Sequence, residues 1–223
     1  MRKIKISPSL ICADLIELKK DLDIFEENSI DFLHIDIMDG HYVPNFTLGI
    51  DFCKAVDSYS RIPLDIHLMI ENVDNYIPVF SKLSNAVITI HPEVSYHPLR
   101  SIQLIKDCGV KAGIAVDPSL SVEHIKCLIS ELDMVCIMTV NPGYSGQKVI
   151  PRAIAKIKEL SDYLDSEGLD IDIEVDGSVS WENIPIMTGA GANVLVVGTS
   201  SIFSKGASLT ENIKKLKSLI SGL

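Results

Sequence analysis

The sequence predicts an α/β protein, a single (β/α)8 TIM barrel spanning residues 1–223, and three observations predict it. Eight short β-branched runs alternate with longer amphipathic stretches from end to end, the pattern of a parallel sheet with helical crossovers. Two of the runs, 134–140 (MVCIMTV) and 194–198 (VLVVG), are apolar on both faces, as strands covered on both sides are. The length, 223 residues, suits one barrel, which takes about 250 residues with about 200 at the lower end.

The predicted strands are 3–7, 32–37, 63–68, 86–91, 111–116, 134–140, 171–176 and 194–198. Helical patterns lie between them at 17–28, 98–108, 122–131 and 151–166, and a helix closes the chain at 209–220. A flavodoxin-like open sheet is the competing arrangement, but it normally has fewer strands. No linker, low-complexity tract or short repeat interrupts the alternation, so one domain is expected.

Composition narrows the classes of function. Apolar residues make up 47% and charged residues 22% of the chain, as in ordinary globular proteins. The net charge of −10 argues against a nucleic-acid-binding surface. It leaves room for an anionic substrate, because backbone amides can hold a phosphate locally. The five cysteines (Cys12, Cys53, Cys108, Cys127, Cys136) are scattered and never spaced C-x-x-C, which suits reduced thiols in the cytoplasm. No apolar run approaches the ~20 residues that span a bilayer, and the start MRKIKISPSL lacks the apolar core of a signal peptide.

In a barrel, chemistry sits where strands end, so polar residues there are informative. The run at 32–39 places His34, Asp36 and Met38 on one face and Ile35 and Ile37 on the other, by the two-residue period of a strand. The run at 63–68 ends on His67, and that at 171–176 ends on Asp176 before a glycine. Alone, a strand histidine or aspartate is commonly a hydrogen-bonded core residue. Two imidazoles and two carboxylates from three strand ends suggest a site for one divalent ion, with zinc, manganese, iron or cobalt all suited. Asp65 and Glu174 share the faces of His67 and Asp176 but lie two residues deeper, and read as supports. His91 is a weaker candidate, structural or substrate-gating, while His41, His97 and His124 look like surface residues.

A second signal points to phosphate. Asn141-Pro142-Gly143-Tyr144-Ser145-Gly146-Gln147, Gly177-Ser178 and Gly198-Thr199-Ser200-Ser201 follow the last three strands. Glycines let backbone approach an anion closely, and N–H groups at helix starts bind it. Absences also count. No lysine falls at the end of any predicted strand; Lys3, Lys5 and Lys111 lie near strand starts, which disfavours a Schiff-base aldolase. The first strand carries no H-x-H of the amidohydrolase type.

These stretches resemble the ribulose-phosphate 3-epimerase family over nearly the whole chain. The resemblance rests on SPSLICADL (7–15), HIDIMDGHYVPNFTLG (34–49), LDIHLMIENVDNYI (64–77), MTVNPGYSGQ (138–147), EVDGS (174–178) and VVGTSSIF (196–203). It implies a ribulose-phosphate-binding type of barrel, with one divalent metal (zinc, manganese, cobalt or iron, with magnesium admissible) on His34, Asp36, His67 and Asp176. It implies that Asp36 and Asp176 are the catalytic acid and base. Substrate contacts are implied for Ser9, His67 and the methionines Met38, Met69 and Met138. The glycine-rich loops, with Gly143, Tyr144, Ser145, Gly146, Gly177, Ser178, Gly198, Thr199 and Ser200, are implied to hold the phosphate of a phosphorylated ketose. No nucleic-acid or membrane partner is expected, and a homo-oligomer is.

Inverting carbon 3 requires removing a weakly acidic proton and returning one to the opposite face, which two carboxylates on either side can do. A metal ion adds Lewis acidity at the neighbouring oxygens. The residues after Asp176 (Gly177-Ser178), the turn at 198–200 (Gly-Thr-Ser) and His-Pro-Glu at 91–93 look more like the allulose-6-phosphate 3-epimerase branch. D-Allulose 6-phosphate/D-fructose 6-phosphate is therefore the expected pair, with D-ribulose 5-phosphate/D-xylulose 5-phosphate the alternative. A phosphosugar synthase or decarboxylase should carry a catalytic lysine, and a non-catalytic phosphosugar-binding barrel could have lost a ligand; all four are present.

Overall fold

The computed structural model describes residues 2–223. The eight expected strands form, as β1 (Lys5–Pro8), β2 (Leu33–Asp39), β4 (Leu64–Met69), β5 (Val87–Ile90), β6 (Lys111–Val116), β7 (Met134–Met138), β8 (Asp172–Asp176) and β9 (Val194–Val197). A ninth, β3 (Phe46–Thr47), folds back antiparallel on the end of β2, with Met38 opposite Thr47. The rest are parallel, in the order β1-β9-β8-β7-β6-β5-β4-β2. A parallel bridge from Ser9 to His34, with Phe32 N–H donating to Ile6 O at 3.2 Å, brings β1 against β2 and closes the ring.

Alternation along each strand divides two environments. Outward residues such as Ile35, Ile37, Ile66, Leu68, Ile88, Ile114, Ile137, Ile173 and Leu195 are buried beneath the helices. Each such side chain contributes about 1.5–3 kcal/mol of apolar burial. The covering helices are α1 (Leu18–Glu27), α2 (Ile50–Tyr59), α3 (Ile77–Phe80), α4 (Pro98–Asp107), α5 (Pro151–Glu167), α6 (Asn183–Gly189) and α7 (Leu209–Ser221). Their ends follow local chemistry. Proline opens α4 and α5, where its missing N–H costs nothing. A left-handed Gly168 stops α5, and Ser208 with Glu211 forms a reciprocal cap on α7. No helix among the described residues is long and apolar enough to cross a membrane.

One expected element differs. Residues 122–131 form two 3-10 turns, Val122–Ile125 and Ile129–Glu131, in place of a continuous helix. Val122, Ile125 and Ile129 are all fully buried, so the apolar spacing was real. All three are β-branched, which weakens helix propagation, and two tight turns seat them equally well.

Inward residues fill the barrel in layers. Phe32, Val87, Met134 and Val194 plug its lower end. Above them the interior turns polar, with Ser7, His34, Asp65, Thr89, His91 and Glu174 fully buried. Gly113 fits this interior because a Cβ there would stand 2.3 Å from Thr89 Oγ1. Gly113→Ala should therefore cost about 1–3 kcal/mol by overpacking in a urea melt. Since Thr89 Oγ1 has no hydrogen-bond partner, adding Thr89→Ala should restore most of that loss; an equally unstable double variant would show that the clash is not the cause.

Candidate metal and substrate site

Strand register builds the site. Asp36 on β2 pairs with His67 on β4, Met38 pairs with Met69, and Met138 on β7 pairs with Asp176 on β8. These inward-facing residues thus reach one level at the ends of their strands. One nitrogen or oxygen from each of His34, Asp36, His67 and Asp176 lies within 4.8 Å of all the others. His34 Nε2 is 3.2 Å from Asp36 Oδ1 and 4.0 Å from Asp176 Oδ2. His67 Nδ1 is 3.2 Å from Asp36 Oδ1 and 3.6 Å from Asp176 Oδ2. Ligand atoms held about 2.0–2.2 Å from a common ion lie within about twice that of each other, so these spacings fit one ion.

Both imidazoles are also backed as metal ligands usually are. His34 Nδ1 meets Asp65 Oδ2 at 2.6 Å, and Ser7 Oγ donates to the same oxygen at 3.0 Å. His67 Nε2 meets His91 Nε2 at 2.9 Å, and Tyr42 Oη lies 2.9 Å from His91 Nδ1. His91 therefore faces a ligand and is not one itself. Asp65 and Glu174 lie beneath the four, with His34 between them and the cavity. His41 and His97 are exposed, and exposed His124 bonds Ser121 Oγ at 2.7 Å.

The electrostatics call for positive charge. Burial disfavours a charged His34, but Asp65 and Asp36 outweigh it and hold its imidazole well above the ordinary value. Burial would likewise raise Asp36, yet His34 and then His67 hold its carboxyl below the usual range. Asp176 goes the other way, raised first by burial and next by the Asp36 charge. Burial and then Asp65 push Glu174 well up, which keeps it protonated and spares the interior another unpaired anion. Burial first, and then the proximity of His67, drive His91 well below its ordinary value. Without an ion, a proton on His34 supplies the charge between Asp36 and Asp65; a divalent cation at Nε2 would supply more. The donor set fits such an ion.

Above the carboxylates opens a cavity of about 240 Å³, lined by Ser9, Asp36, Asp176 and the three methionines Met38, Met69 and Met138. Ser9 Oγ donates to Asp36 Oδ2 at 3.1 Å. Met38 and Met69 pack with Val43 and Tyr42, and Met138 with Ala115 and Cys136. All the glycine-rich loop residues expected from sequence reach the same cavity: Gly143, Tyr144, Ser145, Gly146, Gly177, Ser178, Gly198, Thr199 and Ser200. Gly177, at φ +103°, has no room for a Cβ, which would lie 2.3 Å from Val140. Ser178 follows at φ +51°, a left-handed conformation costing a non-glycine residue about 1 kcal/mol or more. No lysine or arginine is among the described lining residues, so an anion here would meet backbone amides and hydroxyls.

Sequence reasoning gave no site role to Asn45 or Cys12, which also line the cavity, as does Gln147 of the expected phosphate loop. Asn45 Nδ2 donates to Gly143 O at 2.9 Å, tying the loop after β2 to the loop after β7. Asn45 stands inside the long motif at 34–49, which is the only signal it offered.

A cluster suited to a metal ion beside a glycine-lined cavity at one end of a (β/α)8 barrel is the arrangement of a barrel enzyme's candidate active site. Residues 5–203 match the ribulose-phosphate 3 epimerase family. The chain is 45% identical to ribulose-phosphate 3-epimerase of Bacillus subtilis over 198 residues, covering 88% of this chain and 91% of that one. It is 39% identical to the enzyme of the same name from Escherichia coli K12 over 206 residues, covering 92% and 91%. Among solved structures, a tryptophan synthase α-subunit from Pyrococcus furiosus superposes with a TM-score of 0.68, covering 99% of this chain and 98% of that one. At 15% identity it shares the barrel fold alone. The chain belongs to the ribulose-phosphate 3-epimerase family, a family of isomerases.

A proton on His34 competes with a metal for Nε2. Its pKa in the ion-free site is raised above 6.5, so that proton is present at neutral pH and departs as pH rises. Apparent metal affinity should accordingly rise with pH through the neutral range. Calorimetric titration in buffers of different ionisation enthalpy should show about one proton released per ion; binding with no proton release would contradict this electrostatic picture.

Proposed function

We propose that this chain is a metal-dependent ketose-phosphate 3-epimerase interconverting D-ribulose 5-phosphate and D-xylulose 5-phosphate. The observation that carries the reading is the pair Asp36 and Asp176, on β2 and β8 at one cavity and shifted in opposite directions. Such a split favours Asp36 as the base and Asp176 as the partner that more readily carries the proton. Asp36, oriented by Ser9 Oγ, takes the proton from one face of C3, and Asp176 gives its own to the other. The exchanged protons leave Asp36 protonated and Asp176 ionised, and the reverse reaction runs with the roles swapped. His34, Asp36, His67 and Asp176 would hold zinc, manganese, cobalt, iron(II) or magnesium, whose positive charge would stabilise the oxygens of the deprotonated sugar. Met38, Met69 and Met138 cover the reacting carbon with apolar surface and limit water. The loops at Gly143–Gly146, Gly177–Ser178 and Gly198–Ser200 receive the phosphate through backbone N–H groups.

The relatives' names favour the pentulose pair over the hexulose pair expected from sequence. One observation still speaks for D-allulose 6-phosphate/D-fructose 6-phosphate. Ser178, Thr199 and Ser200 place hydroxyls at the loop end of the cavity, where the additional carbon and hydroxyl of a hexulose would fall. A site that hydrogen-bonds a substrate hydroxyl can discriminate strongly against the analogue lacking it, whereas one methylene gives about 1–3 kcal/mol. We read the enzyme as one catalytic domain of the cytoplasm, its five thiols being unpaired. We read it also as a homo-oligomer, given Tyr76, Val79, Tyr96 and Leu99 left exposed around α3 and α4.

The test is kcat/KM for both sugar pairs on one metal-loaded preparation, repeated on metal-loaded Asp36→Asn and Asp176→Asn. Pentulose turnover should lead, and each variant should lose at least about 100-fold, as loss of a general acid or base does. A hexulose preference would transfer the assignment to the second reading. Near wild-type epimerisation by either variant would overturn the two-carboxylate mechanism.

A further inference from the structure

We infer that His91 is a positioning residue of the metal centre: it accepts a hydrogen bond from His67 and holds it in the tautomer whose Nδ1 lone pair faces the ligand cluster. The inference rests on the metal reading of that cluster. Both rings are fully buried. Their Nε2 atoms are 2.9 Å apart, their planes differ by 22°, and their centroids lie 5.0 Å apart. With the two nitrogens so close and the planes nearly parallel, the rings meet edge to edge, which is the arrangement of an N–H···N hydrogen bond.

Only one hydrogen fits between those nitrogens, so the chain His67–His91–Tyr42 can run in two senses. In one, His67 Nε2–H donates to His91, and His91 Nδ1–H donates to the Tyr42 hydroxyl 2.9 Å away. His67 Nδ1 is then a lone pair directed at the position between Asp36 and Asp176. In the other, Tyr42 donates to His91, His91 donates to His67, and His67 Nδ1–H points at Asp36 Oδ1, 3.2 Å away. That hydrogen occupies the ion's direction. Both senses contain the same number of protons, and a hydroxyl can play either part. A bound cation therefore selects the first sense.

The chemistry of the partner matters. His34 is backed by a carboxylate, Asp65, but a second carboxylate behind His67 would crowd an interior that already holds Asp36, Asp65, Glu174 and Asp176. An imidazole orients His67 without adding negative charge. At the outer end of the relay Tyr42 feels Glu93 and Asp117; Glu93 Oε2 is 3.8 Å from His91 Nδ1, too far for a direct hydrogen bond. Tyr42 also packs on Met38 and Met69, so the relay starts in the cavity wall.

The experiment is chelator competition for Zn(II) on wild type, His91→Phe and His91→Gln, with thermal unfolding of each. It is paired with ¹⁵N chemical shifts of His67 in zinc-loaded wild type. His91→Phe should weaken zinc binding about 10–100-fold, the usual consequence of removing a partner behind a ligand. His91→Gln, whose amide oxygen can accept, should recover most of the affinity whatever its melting temperature. The shifts should report His67 protonated at Nε2 and metal-bound through Nδ1. Unchanged affinity in folded His91→Phe, no recovery by His91→Gln, or zinc on His67 Nε2 overturns the inference. Should His91→Phe fail to fold, the glutamine variant and the wild-type shifts decide. Wild type that takes up no zinc would defeat the metal reading itself, whereas wild-type binding with indifferent variants defeats this inference alone.

Discussion

The constraint on which the rest depends is charge in a dry interior. Asp36, Asp65 and Glu174 are buried inside the ring with Asp176 at its mouth, and His34 is the basic group that reaches all four. Isolated buried carboxylates are costly. The barrel answers by keeping Glu174 protonated, by giving Asp65 a histidine and a serine, and by setting Asp36 and Asp176 where a cation fits. A parallel closed sheet allows this because register aligns His67 with Asp36 on neighbouring strands, while the Ser9–His34 bridge closes the seam beside them. Outside the ring, aliphatic packing against the helices supplies the stability that a polar interior does not.

The same arrangement separates the two carboxyls proposed to react. Asp36 sits against two imidazoles and a serine hydroxyl. Asp176 is nearer solvent and feels Asp36 more than any single cation. They share one cavity and titrate as a pair, so a proton on one disfavours a proton on the other. The loops proposed to hold the phosphate lie outside this balance, with Gly177 admitting close approach where Val140 leaves no space for a side chain. On the proposed function, chemistry and anchoring thus occupy different parts of the molecule, the first on strands and the second on the turns that follow them.

Much of this was legible in the chain. The period of two in the run at 32–39 separates His34, Asp36 and Met38 from Ile35 and Ile37, and the strand bears out that division. The eight strands were readable because each is a β-branched run bounded by turns. What escaped depends on long-range contacts. Two residues of β3 are too short to show a period, and its pairing with Met38 arises from the turn at Gly40–Asn45. Asn45 acts on a carbonyl 98 positions away, and nothing local announces it. His91 was visible as a polar residue ending a strand, yet its contact with His67 needs the register of β4 and β5. The left-handed Ser178 was invisible as strain because serine gives no local sign of it. At 122–131 the apolar spacing pointed to a helix, and β-branching resolved it into turns.

The central claim is that His34, Asp36, His67 and Asp176 hold one cation at the mouth of the barrel, with Asp65 and His91 behind the two imidazoles. Anomalous diffraction from crystals of the zinc-loaded enzyme, recorded on either side of the zinc absorption edge, addresses it most directly. The account predicts a single anomalous peak about 2.0–2.2 Å from His34 Nε2, His67 Nδ1 and one oxygen of each aspartate. A peak seated instead among His34 Nδ1, Asp65 and Glu174, or no ordered zinc at these side chains, would contradict it.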